Sequence, residues 1–303
     1  GVDAVYGGRN NQGAVSVRYE HIFGWGKKAT DYDQISGIAR VRSKLAPGVK
    51  IEAGALAGQT TLETGLSNGV TNDHKSRVYS VFGGPTFEAK AGPVNMQATY
   101  RAGYTQSTAV NALAIAPGTA VDVKEKSLVH SAMARVGVNP GDVLPVGVAV
   151  VGTYGREQMN TLKQRHEDAT VRGEVLAPVT SDLALVGSVG YEKVKITSRE
   201  AARDVNGAPI IKANGQYAID YTAPRRIAFE TSGLMWDTGV LWRPSRRTNL
   251  EAHVGHRYGS MTYYGSFNYA PSARSNMTLS VYDRMSSFGG GLAAALEALP
   301  TEF

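Results

Sequence analysis

The chain has no cysteine among its 303 residues, which excludes a disulfide framework and a thiolate metal site. It contains no apolar run of about 18 residues, the length a helix needs to cross a bilayer, so no transmembrane helix is predicted. Its hydrophobic content of 42% and mean hydropathy of -0.21 are too low for a helical membrane protein. Phenylalanine and tryptophan are scarce, at 7 and 3 residues, beside 15 tyrosines and 35 glycines. There is also no Lys/Arg block. The formal charge of +6 comes from basic residues scattered along the chain, and no nucleic-acid partner is expected.

The motifs of known chemistry are missing as well. No Gly-x-Ser-x-Gly nucleophile elbow occurs. His253 and His256 stand three apart, which on a strand places them on opposite faces and rules out a shared metal. Asp31-Tyr32-Asp33 reads as a solvated loop–strand junction rather than a calcium ligand set. Gly289-Gly290-Gly291 lacks the Lys and Ser/Thr of a phosphate-binding loop and reads as a linker. No enzymatic activity, metal or cofactor is expected.

What the chain does have is alternation. About a dozen segments alternate apolar with polar residues over roughly ten positions each. Soluble strands average about 5–6 residues, whereas a strand that crosses a bilayer needs about 9–11. In Gln12–Phe23, Val15, Val17, Tyr19 and His21 share one face, with Ser16, Arg18, Glu20 and Ile22 on the other. In Asp33–Leu45, Ile35, Ala39, Val41 and Leu45 lie opposite Gln34, Ser36, Arg40, Arg42 and Lys44. Val94–Thr105 alternates almost without fault. The period of two is the strand signature. Residues 1–284 therefore read as an all-β transmembrane antiparallel β-barrel with about fourteen strands. The stretch Arg226–Arg243 is irregular around Trp236-Asp237, which suggests a bulge.

The links alternate short and long. Pro-containing turns near Pro47, Pro93, Pro140, Pro178, Pro244 and Pro271 mark one rim, read as periplasmic. The long links 64–75, 106–126 and 197–225 mark the outer rim. Two Asn-Gly pairs in 197–225, at Asn206 and Asn214, suggest a small hairpin within it. Residues 285–303 form a Gly-rich linker and a short helix over Leu292–Leu299, a candidate plug or a lead-in to further strands. The chain opens directly in strand-like Val2-Asp3-Ala4-Val5-Tyr6, and by strand parity Asp283 reaches the outer rim. Further sequence is expected at both ends.

Charged residues belong in the lumen, because a charge facing lipid at mid-bilayer costs up to about 2–4 kcal/mol. The lumen-facing set is Arg18, Glu20, Arg40, Arg42, Lys44, Glu52, Arg101, Arg135, Arg172, Glu174, Glu230, Glu251, His253 and Arg257. Two readings are open for it. The charges pair across strands and brace the wall, or a modest basic excess, with Arg40, Arg42, Arg101, Arg135 and Arg172 on the path, favours anions.

Within Arg243–Phe288 several short runs follow one another closely: Trp242-Arg243-Pro244-Ser245-Arg246-Arg247-Thr248, Gly255-His256-Arg257-Tyr258-Gly259, Thr262-Tyr263-Tyr264-Gly265-Ser266, Ser280-Val281-Tyr282-Asp283 and Ser287-Phe288-Gly289. This stretch resembles the outer-membrane β-barrel family associated with exosortase (PEP-CTERM) exopolysaccharide systems of Gram-negative bacteria. The resemblance implies a bacterial outer-membrane location and polysaccharide export; it supplies no binding residues. The expected function is an outer-membrane channel for passive diffusion or export of polysaccharide or other anionic solutes. The alternative is a structural barrel with a closed lumen that binds partners or forms arrays. Expected partners are outer-membrane lipid and lipopolysaccharide, polysaccharide, and a second copy or a periplasmic or lipoprotein partner. A folded barrel of this kind should need detergent and should migrate differently on a gel before and after boiling. A monodisperse protein in plain buffer with unchanged mobility would contradict the reading.

Overall fold

The structure, a computed structural model, describes residues 1–23, 32–62, 74–116, 119–272 and 275–281. They form a single antiparallel sheet of fourteen strands in sequence order. The strands are β1 Val2–Gly7, β2 Asn11–Ile22, β3 Tyr32–Ala46, β4 Val49–Leu62, β5 His74–Ala91, β6 Val94–Ala116 and β7 Thr119–Val138, followed by β8 Gly147–Met159, β9 Arg165–Pro178, β10 Leu183–Ser198, β11 Arg226–Ser245, β12 Thr248–Arg257, β13 Ser260–Ser272 and β14 Ser275–Val281. One 3-10 turn, Thr161–Lys163, is the lone helical piece among the described residues. The all-β expectation and the strand number both hold. The link 64–75 lies almost wholly, and Asp283 and the helical tail wholly, outside the described residues.

Each strand bonds to the one before and the one after, so β1 and β14 form the two edges of the described sheet, with every residue exposed. At one end the turns are tight, and Gly48, Gly92 and Gly141 supply the positive φ they require (73°, 58° and 85°). At the other end Tyr258 and Gly259 both adopt positive φ, 52° and 79°. Such a two-residue turn suits the twist of a hairpin.

Three departures from the sequence reading are instructive. The residues placed in a long link at 106–126 are mostly strand: β6 runs to Ala116 and β7 resumes at Thr119. Register slips between Ala109 and Leu113 and between Ala114 and Ala116 carry this hairpin outward. Beyond the hydrocarbon a strand needs no apolar face, so Gln106, Ser107 and Thr108 look like loop while pairing as strand. Secondly, Trp236 and Asp237 pair regularly on both sides; the slips in β11 fall where the register passes from Phe229 to Ile227, skipping Ala228, and between Trp242 and Ser245. Thirdly, Glu230 faces outward, as the next subsection describes. The small hairpin expected between β10 and β11 is present. Bridges Arg203↔Pro209 and Ile211↔Tyr217 flank turns in which Gly207 and Gly215 have φ of 82° and 75°. In the same link the Asp220 carboxylate accepts the Thr222 hydroxyl at 2.6 Å and its N–H at 2.8 Å, which holds its pKa below the usual carboxylate value.

The two faces are inverted relative to a soluble protein. Val17, Val41, Val150, Val171 and Leu234 point outward at 42%, 50%, 57%, 61% and 65% exposure. On the inner face Arg40, Glu52, Arg101 and Glu192 are buried at 8%, 6%, 8% and 2%. Apolar outside and polar inside is the arrangement a lipid solvent selects.

The register also gives the tilt. Referred to β7, the outward ring of Tyr104 stands at Leu128, that of Tyr154 at Ala132, and that of Tyr191, through Val171 and Gly152, at Ala134. The rings thus slide six residues over the four strand steps from β6 to β10. With about 3.3 Å per residue and about 4.8 Å between strands, rings at one depth require a tilt near 45°. Barrel strands tilt by about 35–45°. An aromatic girdle therefore crosses these strands as it does in a membrane barrel wall.

Val150→Arg, in the apolar band, should cost about 2–4 kcal/mol in lipid vesicles, whereas Gln158→Arg, beyond the girdle, should cost about 0–1 kcal/mol. Reversible chemical unfolding of the two variants checks the difference. Equal costs would remove the assignment of the outer face to lipid.

Candidate functional site

The inner face is a chain of ion-pair clusters, each built around a carboxylate. The first centres on Glu52 in β4. Arg40 of β3 donates to it through Nε at 2.9 Å, Arg42 through Nη2 at 3.1 Å, and Arg101 of β6 through Nη2 at 3.0 Å. Arg101 has to reach across β5 to do so, and Gly84, on the β5 residue beneath it, provides the room. A Cβ there would stand 2.0 Å from the Tyr100 carbonyl oxygen.

Beside Gly84 lies Pro85, which has no N–H, and the β5–β6 ladder is interrupted between the pairs Gly83↔Ala102 and Thr86↔Thr99. Proline in a central strand normally breaks a sheet. Here Arg101 fills the gap: its Nη1 donates to the carbonyls of Gly84 at 3.2 Å and Pro85 at 3.0 Å, and its Nη2 to Thr86 Oγ1 at 3.1 Å. One guanidinium thus closes the backbone and neutralises Glu52.

Farther round the wall, Glu174 of β9 accepts Arg172 Nε at 2.9 Å and also Arg135, which reaches from β7 over β8. Ala149 of β8, between them, is small enough to allow it. Next to this pair sits His253 of β12. Its Nδ1 is 3.3 Å from Asp237, its Nε2 is 3.1 Å from Glu251, and its ring stacks on Tyr264 at 4.4 Å and 9°. Gly239, directly across from His253, leaves space that a Cβ would fill at 2.6 Å from the ring. Ser188 donates to the second oxygen of Asp237. Arg135, Arg172, Glu174, Asp237, Glu251, His253 and Tyr264 share one polar recess of about 360 Å³. Lastly, Glu192 of β10 accepts Arg257 Nε at 3.2 Å and the backbone N–H of Tyr258. It reaches across β11 and caps the β12–β13 turn.

Most of the sequence-predicted residues are where the alternation put them. Arg40, Arg42, Glu52, Arg101, Arg135, Arg172, Glu174, Glu251, His253 and Arg257 lie on the inner face and are brought into these clusters. Arg18 and Glu20 share that face at 3.9 Å from each other and are largely exposed, and Lys44 is exposed there too. Glu230 is not in the lumen. It pairs in register with Lys195, in phase with outward Tyr191 and Leu234, and its carboxylate meets Lys195 Nζ at 3.2 Å on the outer face. It lies six residues beyond Trp236 along β11, past the hydrocarbon, where an outward charge is cheap. The sequence reading missed Glu192, Asp237, Ser188 and Tyr264. Strict alternation from outward Val189, Tyr191 and Trp236 would have placed Glu192 and Asp237 inward.

Of the two readings left open, the wall shows cross-strand charge pairing. The five arginines assigned to an anion path each contact a carboxylate.

No protein-family model matches the chain, and no curated protein matches it. Solved structures do. The open form of the ferric-catecholate import receptor Fiu from E. coli K12 superposes with a TM-score of 0.52 at 10% identity, covering 88% of this chain and 54% of that one. The FrpB iron transporter from Neisseria meningitidis gives 0.54 at 11% identity, with 88% and 49% coverage. The chain spans about half the length of these structures. At such identity the likeness is one of fold: the sheet shares the antiparallel β-barrel architecture of these two structures.

Glu52→Gln leaves three guanidiniums around a neutral group and should destabilise by about 3–5 kcal/mol, as loss of one partner from a buried ion cluster does. Arg42→Gln, at a side chain 43% exposed, should cost under about 1 kcal/mol. Unfolding midpoints of the two variants measure the contrast, and similar losses would mean that Glu52 is not the hub.

Proposed function

We propose that this chain forms the wall of a bacterial outer-membrane channel that passes polyhydroxylated solutes, with polysaccharide export as the specific role. The observation that carries the reading is the pairing of charge along a wet inner face. A wall whose arginines are neutralised in place attracts ions of either sign weakly. It still offers hydroxyls, amides and a stacked His253–Tyr264 pair to a neutral sugar chain. The fold, shared with outer-membrane import receptors, supports a transport role, and the sequence resemblance to exopolysaccharide-associated barrels supports the direction and cargo.

The test is conductance of the full-length protein in planar bilayers under a salt gradient. The expected result is an open path with a reversal potential near zero that soluble polysaccharide blocks from one side. Glu174→Gln together with Glu251→Gln should move the reversal potential toward anion preference, because Arg135 and Arg172 then lose the carboxylate they share. A protein that never conducts favours the closed scaffold barrel instead.

A further inference from the structure

Above the girdle the outer face carries a second charged assembly that the lumen does not use. Arg156 of β8, Glu167 of β9, Lys195 of β10 and Glu230 of β11 are direct register partners in one row. Arg156 stands two residues past Tyr154, about 7 Å along the strand. That is the depth at which hydrocarbon gives way to head groups, so the charges are tolerated and face lipid polar groups.

Around Glu167 the row is unbalanced. Arg156 Nε lies 3.5 Å from its carboxylate and Arg165 Nη1 lies 3.8 Å away, both loose contacts. Arg165 Nε is buried without a hydrogen-bond partner. Arg225, from the β10–β11 link, lies over the same spot. Its Nη1 donates to Thr197 Oγ1 at 3.2 Å, and Thr197 is the register partner of Arg165. Burial lowers the Arg225 pKa, and the positive charges of Arg165 and Arg199 lower it further. Three guanidiniums therefore gather about one carboxylate. Lys195 is already engaged by Glu230 at 3.2 Å. Lys193, two residues past Tyr191 and exposed, has no acidic partner among the described residues.

We propose that Arg156, Arg165 and Arg225 form a binding site for a phosphate group of the outer-leaflet glycolipid, lipopolysaccharide, with Lys193 at its edge. The planar forks of arginine suit a phosphate monoester, and the girdle below holds the acyl chains. The inference rests on the outer-membrane reading above.

The experiment is titration of the full-length protein in detergent with doubly phosphorylated lipid A, with lipid A stripped of phosphate, and with inorganic phosphate, followed by native mass spectrometry. The double variant Arg165→Gln/Arg225→Gln should bind the phosphorylated lipid about ten-fold or more weakly. Wild type should bind the stripped lipid as weakly as that variant binds the intact one, and Arg165→Lys/Arg225→Lys, which keeps the charge and loses the fork, should fall between wild type and the glutamine variant. Three results would overturn the site: equal binding by the glutamine variant, equal binding of stripped lipid, or displacement of lipid by inorganic phosphate at matching concentration. Gel mobility before and after boiling is read first. If the shift is missing in wild type, the membrane reading itself fails; if the shift is intact and phosphate is not recognised, only the site fails.

Discussion

A backbone N–H or C=O in hydrocarbon has no water to fall back on, and leaving one unpaired costs several kcal/mol. The rest of this molecule follows from that constraint. Every strand of the described sheet bonds on both sides except β1 and β14, its two edges. Where the chain breaks the ladder itself, a side chain completes it. Pro85 removes a donor, and Arg101 donates to the exposed carbonyls. At the β12–β13 turn the Tyr258 N–H donates to Glu192. In both places a lumen charge does backbone duty, which is why charges so costly to bury are retained.

The same clusters brace the wall. Glu52 links β3, β4 and β6; Glu174 links β7 and β9; His253 links β11, β12 and β13 through Asp237, Glu251 and Tyr264. Small residues sit beneath these bridges: Gly84 under Arg101, Ala149 under Arg135 and Gly239 opposite His253. The high glycine content therefore has a use beyond turns. It lets long side chains lie flat along the inner surface and span two strands.

Much of the fold was legible because lipid imposes a strict period. The faces of Gln12–Phe23, Asp33–Leu45 and Val94–Thr105 could be assigned from alternation alone, and the Pro-Gly turns located one rim. The failures share one physical cause. Outside the hydrocarbon, alternation is no longer selected. Glu230 was placed in the lumen because it is charged, yet at its depth an outward charge meets head groups and Lys195. Residues 106–126 were read as a link, yet most of the described ones lie in strands β6 and β7. The clusters were harder still, since a phase assignment says which face a residue takes and nothing about who reaches across an intervening strand. Arg101 meeting Glu52 over Gly84 depends on register, and register is not written in either strand alone.

Because one carboxylate serves three guanidiniums at Glu52, the wall's tolerance to change is lopsided. Arg42, the exposed one of the three, can drift to another polar residue while Arg40 and Arg101 keep the acid company. The acid has no deputy. Sequence variation in such a wall should accumulate among the cations and spare the anions, so that the sites that matter most for its integrity are its few negative charges rather than its many positive ones.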